Sequence, residues 1–196
     1  MPNAIRTMLV AAMLAISSGM ANAGPHEDAD TAYVRKDYAT ALKLFLPLAE
    51  QGDRWAQFRL GNMYFAGDGV PANYLEGLKW LSKAADQGDD FAQFMLGYRY
   101  ENGESVPQND AEAVKWYRKA AEQGDRASQF RLGNMYANGK GVPESTVQAY
   151  KWYNLAAAQG NAAAKSAKAD IEKRMKREQI AEAQKLSAEW KPSTQP

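Results

Sequence analysis

The chain has 196 residues, with 24 Lys+Arg against 23 Asp+Glu and no cysteine. That length allows one globular domain or one short solenoid. The near balance of charge argues against a nucleic-acid binder, which carries a basic excess, and the lack of cysteine excludes a disulfide framework and a Cys-ligated metal.

Arg6 precedes an apolar run from Met8 to Ile16, which passes into small residues ending in Ala21-Asn22-Ala23. This is the pattern of a secretory signal peptide with an A-x-A cleavage site. Residues 1–23 are therefore expected to be removed before Gly24, placing the protein in the periplasm or outside the cell. The run is far shorter than the roughly 20 apolar residues that span a bilayer, and no later segment could span one. Loss of Arg6 leaves 23 bases against 23 acids, a net charge of zero.

Residues 24–36, which include Gly24-Pro25-His26-Glu27-Asp28, are polar and have little to bury, so a flexible leader is expected there. His26 is the only histidine. It reads as a solvated tail residue rather than as a metal ligand or general base.

Beyond the leader the chain repeats. Gln57 to Tyr64 returns letter for letter at Gln129 to Tyr136, and in altered form at Gln93 to Tyr100. Gly52, Gly88, Gly124 and Gly160 are spaced 36 apart, as are Trp80, Trp116 and Trp152. A fixed period of this size marks a stacked repeat architecture. Two helix types alternate within it.

The Trp helices are expected at about 38–51, 74–87, 110–123 and 146–159. Asn73 with Glu76, Asn109 with Glu112 and Ser145 with Gln148 fit capping boxes at their starts. The Leu-Gly helices are expected at about 54–66, 90–102 and 126–138, with Asp53, Asp89 and Asp125 as N-caps. Gly61 and its two counterparts lie inside these helices, where glycine costs about 1 kcal/mol against alanine. The threefold recurrence implies that two helix backbones approach too closely for a side chain. The period predicts a solenoid over 37–175, made of a leading helix at 37–51, repeats at about 53–88, 89–124 and 125–160, and a polar cap. A C-terminal helix and a disordered end are expected over 176–196.

The pattern Ala-Gln-x-x-Leu-Gly-x-x-Tyr-x-x-Gly-x-Gly-Val-Pro, followed by Ala-x-Lys-Trp-Tyr-x-x-Ala-Ala-Glu-Gln-Gly, resembles the Sel1-like repeat, a relative of the tetratricopeptide repeat. It is clearest at Ala56–Pro71 with Asp110–Gly124. The resemblance covers about 37–170 and implies an all-α, right-handed α-solenoid of helical hairpins. It also implies a non-enzymatic adaptor that binds a protein or an extended peptide. In exported bacterial members a Thr-Pro often precedes the last helix. Lys176-Arg177 stands there instead, so the position of that break is open. Cysteine-rich exported members have been linked to penicillin binding, and this chain lacks their cysteines.

By analogy with tetratricopeptide repeats, the Leu-Gly helices line the concave face. Helical geometry places Trp55, Phe58, Asn62 and Phe65 of the first copy opposite the Ala56-Leu60-Tyr64 stripe. Phe91, Phe94 and Tyr98 correspond in the second copy, and Phe130 and Asn134 in the third. Exposed aromatic residues are typical anchors for a partner. Phe58, Phe94 and Phe130 recur unchanged and fit inter-repeat packing equally well. The sets that vary between copies are the stronger candidates: Trp55/Phe91/Ala127, Asn62/Tyr98/Asn134 and Phe65/Glu101/Ala137. The three tryptophans of the Trp helices read as core, and the recurring Lys43, Lys79, Lys115 and Lys151 as a stripe lying over it.

The sequence offers no catalytic residue, metal site or cofactor motif. The Gly-rich turns lack the strand-to-helix context of a phosphate loop. The expected role is an envelope adaptor or scaffold. Peptidoglycan binding, or a weak penicillin-binding hydrolase, is the alternative.

Overall fold

The computed structural model describes residues 25–193. The signal-peptide reading and Gly24 lie outside those residues. Ten helices and no strand are found among the described residues. They are α1 (Pro25–Val34), α2 (Tyr38–Glu50), α3 (Arg54–Ala66), α4 (Tyr74–Asp86), α5 (Asp90–Asn102), α6 (Asp110–Gln123), α7 (Arg126–Asn138), α8 (Thr146–Ala158), α9 (Ala162–Glu172) and α10 (Arg177–Glu189). From α1 to α9 each helix packs mainly on its neighbours in sequence, the contact pattern of a solenoid.

The starts follow from capping chemistry. Asp53, Asn73, Asp89, Asn109, Ser145 and Asn161 each accept a hydrogen bond from a backbone N–H one turn on. The reciprocal half of the expected capping boxes takes another form. The N–H groups of Asn73, Asn109 and Ser145 already donate to the carbonyls of Tyr64, Tyr100 and Tyr136, each at 2.9 Å, and so close the preceding loop. Glu76 and Glu112 pair with Lys79 and Lys115 at 3.0 and 3.2 Å instead.

The glycines at the Leu-Gly positions mark close approaches of two kinds. A Cβ on Gly61 would lie 3.0 Å from the backbone nitrogen of Leu81, which is the expected backbone contact. At Gly97 and Gly133 the neighbour is an aromatic ring. A Cβ there would lie 2.6 Å from Cδ1 of Tyr117 and of Tyr153 respectively.

Two terminal expectations are corrected. Residues 25–34 form a helix rather than a flexible leader, because Ala29 and Ala32 are buried against α2 and α3. The helix expected to lead the solenoid, α2, is thus the second member of a hairpin. At the other end Ser193 N–H donates to the carbonyl of Glu122 at 2.7 Å, so the described part of the terminus is tied to α6. The chain does break near residue 176: α9 ends at Glu172, and Lys176 stands extended before α10. The last helix packs on α8, with Ala183 buried beside Tyr150 and Tyr153.

Trp80, Trp116 and Trp152 are buried and join successive hairpins. Lysines lie over their faces: Lys83, Lys119 and Lys151 hold their Nζ atoms 4.2–4.3 Å from the ring centroids.

Candidate functional site on the Leu-Gly row

The Leu-Gly row consists of α3, α5 and α7, with α1 before it. One aromatic ridge runs along its N-terminal edge. Trp55 and Phe58 have ring centroids 5.5 Å apart, and Phe58 and Phe91 6.4 Å apart. Phe91 is 61% exposed, a large solvent contact for an aromatic side chain in a helix whose stripe at Ala92 and Leu96 is fully buried. Tyr98 lies further along α5, with the Arg131 guanidinium 5.8 Å from its ring centroid.

Neighbouring row helices are joined by alternating chemistry. Asp30 of α1 pairs with Arg59 of α3 at 2.8 Å. The Phe58–Phe91 contact joins α3 to α5. Glu101 of α5 faces Arg131 of α7 at 3.6 Å. Glu101 also accepts a 2.7 Å hydrogen bond from the Tyr117 hydroxyl. Burial, followed by that carboxylate, pushes the Tyr117 phenol far above its ordinary pKa.

The structure divides the expected site residues into three groups. Phe91 is exposed on the row, and Tyr98 and Asn62 are half-buried. Leu81 stands at the register that Tyr117 and Tyr153 hold in the other copies, so no hydroxyl reaches Asn62 from that position. Phe58, Phe94 and Phe130 are half-buried packing residues. The second and third of them lie 5.8 and 6.0 Å from the rings of Tyr117 and Tyr153. Trp55, Phe65 and Asn134 are engaged internally. The Trp55 indole N–H donates to Asp30 at 3.0 Å, and the Arg59 guanidinium covers its ring at 4.5 Å. Asn134 accepts from the Tyr153 hydroxyl at 2.8 Å. Phe65 fills the space left by Gly77, where a Cβ would lie 3.0 Å from its ring, and stacks on Tyr74. Helical geometry put Phe65 on the row, but the missing side chain at Gly77 draws it inward.

One feature of the row's edge was legible in the sequence and unread. Gln57, Gln93 and Gln129 recur at the period of 36, as do Gln87, Gln123 and Gln159. In the structure they form a ladder. Gln57, Gln93 and Gln129 donate to the carbonyls of Ala49, Ala85 and Ala121 at 2.9–3.2 Å. Gln87, Gln123 and Gln159 then donate to Gln57, Gln93 and Gln129 at 2.7–2.9 Å. The ladder ties each hairpin to the next. Among the described residues, no group of acids and histidine is placed to hold a metal ion, and no helix is long and apolar enough to cross a membrane.

Comparison with known proteins fits this geometry. Residues 17–53, 56–89, 90–125 and 126–161 each match the Sel1 repeat family model. The first match takes in α1 and α2, which makes four repeats where the sequence period suggested three and a leading helix. No curated protein sequence gives a significant match. Among solved structures, a Sel1 repeat protein from Oxalobacter formigenes is 37% identical, with a TM-score of 0.66 over 69% of this chain and 56% of that one. The antigen c5321 of uropathogenic Escherichia coli, described as displaying an SLR fold, is 26% identical, with a TM-score of 0.52 over 85% of this chain and 45% of that one. Helicobacter pylori cysteine-rich protein B is 26% identical, with a TM-score of 0.53 over 68% of this chain and 96% of that one. The chain thus spans about half the length of the first two of these structures. Sel1 repeats commonly serve as scaffolds for protein interaction. With four repeat matches in tandem and helical hairpins stacked in the same order, the chain belongs to the Sel1 repeat family.

Proposed function

We propose that the Leu-Gly row is the concave wall of a binding groove for an extended peptide or protein segment, and that the protein is a non-enzymatic adaptor of the bacterial cell envelope. The exposure of Phe91 carries this reading. Its ring stands 61% open, while the other large apolar side chains of α3, α5 and α7 are partly or wholly buried. An apolar ring left in water at the middle of a repeat array is a natural anchor for a partner's side chain. Tyr98, Asn62 and the Glu101–Arg131 pair supply polar contacts beside it. Export rests on the N-terminal sequence pattern, and fractionation of cells carrying the full chain would locate it.

The groove is tested by selecting peptides from a random displayed library against the wild-type protein, then measuring their affinity for the Phe91→Ala/Tyr98→Ala variant. A loss of at least tenfold is expected. Equal affinity for both proteins would refute the assignment. Sedimentation with purified sacculi separates a peptide groove from a glycan-binding wall, for which no particular feature of the row speaks.

A further inference from the structure

Arg99 breaks the repeat at a buried register. Met63 and Met135 occupy the same position in the neighbouring copies, and both are almost wholly buried. The arginine therefore places a guanidinium where the architecture expects an apolar thioether. Its carbon lies 3.5 Å from the centroid of the Phe65 ring, which in turn stacks on Tyr74. Among the described residues no carboxylate lies within ion-pairing distance of it, and its Nε is buried without an acceptor. Burial also pulls its pKa below the ordinary value, with Glu104, Tyr74 and Tyr98 as the groups whose charge acts on it in the opposite sense.

Arg99 is half-buried, and a charge partly withdrawn from water without an ionic partner opposes folding. The stacking on Phe65 fixes the plane of the guanidinium; its Nε is buried, and among the described residues its terminal nitrogens donate no side-chain hydrogen bond. A fixed fork of this kind matches a carboxylate in a two-bond arrangement. One guanidinium carries one positive charge, which matches a monoanionic carboxylate better than a phosphate. Tyr74, stacked on the same Phe65 ring, is 51% exposed and gives an incoming chain apolar surface beside the charge.

We infer that Arg99, stacked on Phe65 at the edge between α3 and α5, is a carboxylate anchor, so that the partner is a peptide presenting a side-chain or C-terminal carboxylate. This deepens the groove reading and rests on it for the identification of the ligand as a peptide. The test follows the Arg99 Nε–H resonance of 15N-arginine-labelled protein by NMR. The probes are N-acetyl-glutamate α-amide, which offers a side-chain carboxylate, N-acetyl-alanine, which offers a main-chain one, N-acetyl-glutamine amide and inorganic phosphate. At least one carboxylate probe is expected to shift the resonance at millimolar concentration, and the better of the two shows which kind of carboxylate is read. The neutral amide should leave it in place. No response to either carboxylate, or tighter binding of phosphate than of both, would overturn the inference. Arg99→Met, which copies the neighbouring repeats, is expected to raise the thermal midpoint while abolishing the binding. A lowered midpoint would show that Arg99 is structural, and an unchanged one that its charge carries no cost for a ligand to offset. Phe91→Ala should leave the Arg99 response intact, so failure of the groove and failure of the anchor are told apart.

Discussion

Replacing Gln93 by methionine tests the ladder that couples one hairpin to the next. Methionine keeps the length and most of the volume of glutamine, so little cavity forms at this site, which is only 1% exposed. Two hydrogen bonds are lost, from Gln93 to the Ala85 carbonyl at 2.9 Å and from Gln123 to Gln93 at 2.8 Å. Each contributes about 1 kcal/mol net. The Ala85 carbonyl keeps its bond from Gly88 N–H, and the half-buried Gln123 amide can turn to water, so the further desolvation penalty is small. The expected loss is about 2 kcal/mol. Gln123→Met removes one bond and strands the buried Gln93 carbonyl, for a loss of about 1–3 kcal/mol. Because the two side chains share a bond, the double variant should lose less than the sum of the singles by about 1 kcal/mol. Urea unfolding followed by circular dichroism and by tryptophan fluorescence measures all three, with the exposed Gln108→Met as control. A Gln93→Met loss no larger than that control, or strict additivity of the pair, would refute the coupling.

Gly97→Ala and Gly133→Ala should each lose about 2 kcal/mol in the same assay, because overpacking against Tyr117 or Tyr153 outweighs the gain of about 1 kcal/mol in helix propensity. A stabilised alanine variant would show that the rings yield. Lys36 and Ser105 hold φ values of 62 and 67°, a region that suits glycine. Lys36→Gly and Ser105→Gly are therefore each expected to raise stability by about 0.5–1 kcal/mol, read from the urea midpoint. Burial pushes the Tyr153 phenol from 10.0 up to about 12. A folded-state value above the unfolded one means stability that is present below pH 10.0 and lost as the pH rises toward 12. After allowance for solvent screening the loss is about 1–2 kcal/mol, and Tyr153→Phe should decline less steeply over that range.

The fold was legible because its determinants are local and repeated. Asp53, Asp89 and Asp125 cap helices whatever surrounds them, and Trp80, Trp116 and Trp152 recur at one register. The first hairpin escaped notice because α1 buries only small residues, Ala29 and Ala32, and its polar side chains resemble a tail. Its role becomes visible only when Asp30 meets Trp55 and Arg59 across a separation of 25–29 residues. Helical periodicity put Phe91 and Tyr98 on the Leu-Gly row, where Phe91 is exposed and Tyr98 half-buried. It could not show that Gly77 admits Phe65, nor that Tyr153 occupies Asn134, since both depend on the facing helix. The glutamine ladder was present in the period, but glutamines at helix ends read as solvent-facing until their partners are in view.

The most direct test of the groove is an amide chemical-shift map of the protein, with and without a peptide selected from the displayed library. Perturbations are expected on α3, α5 and α7, largest around Phe91 and Tyr98. A map centred instead on the Trp helices α4, α6 and α8, around Lys115 and Lys151, would contradict the account.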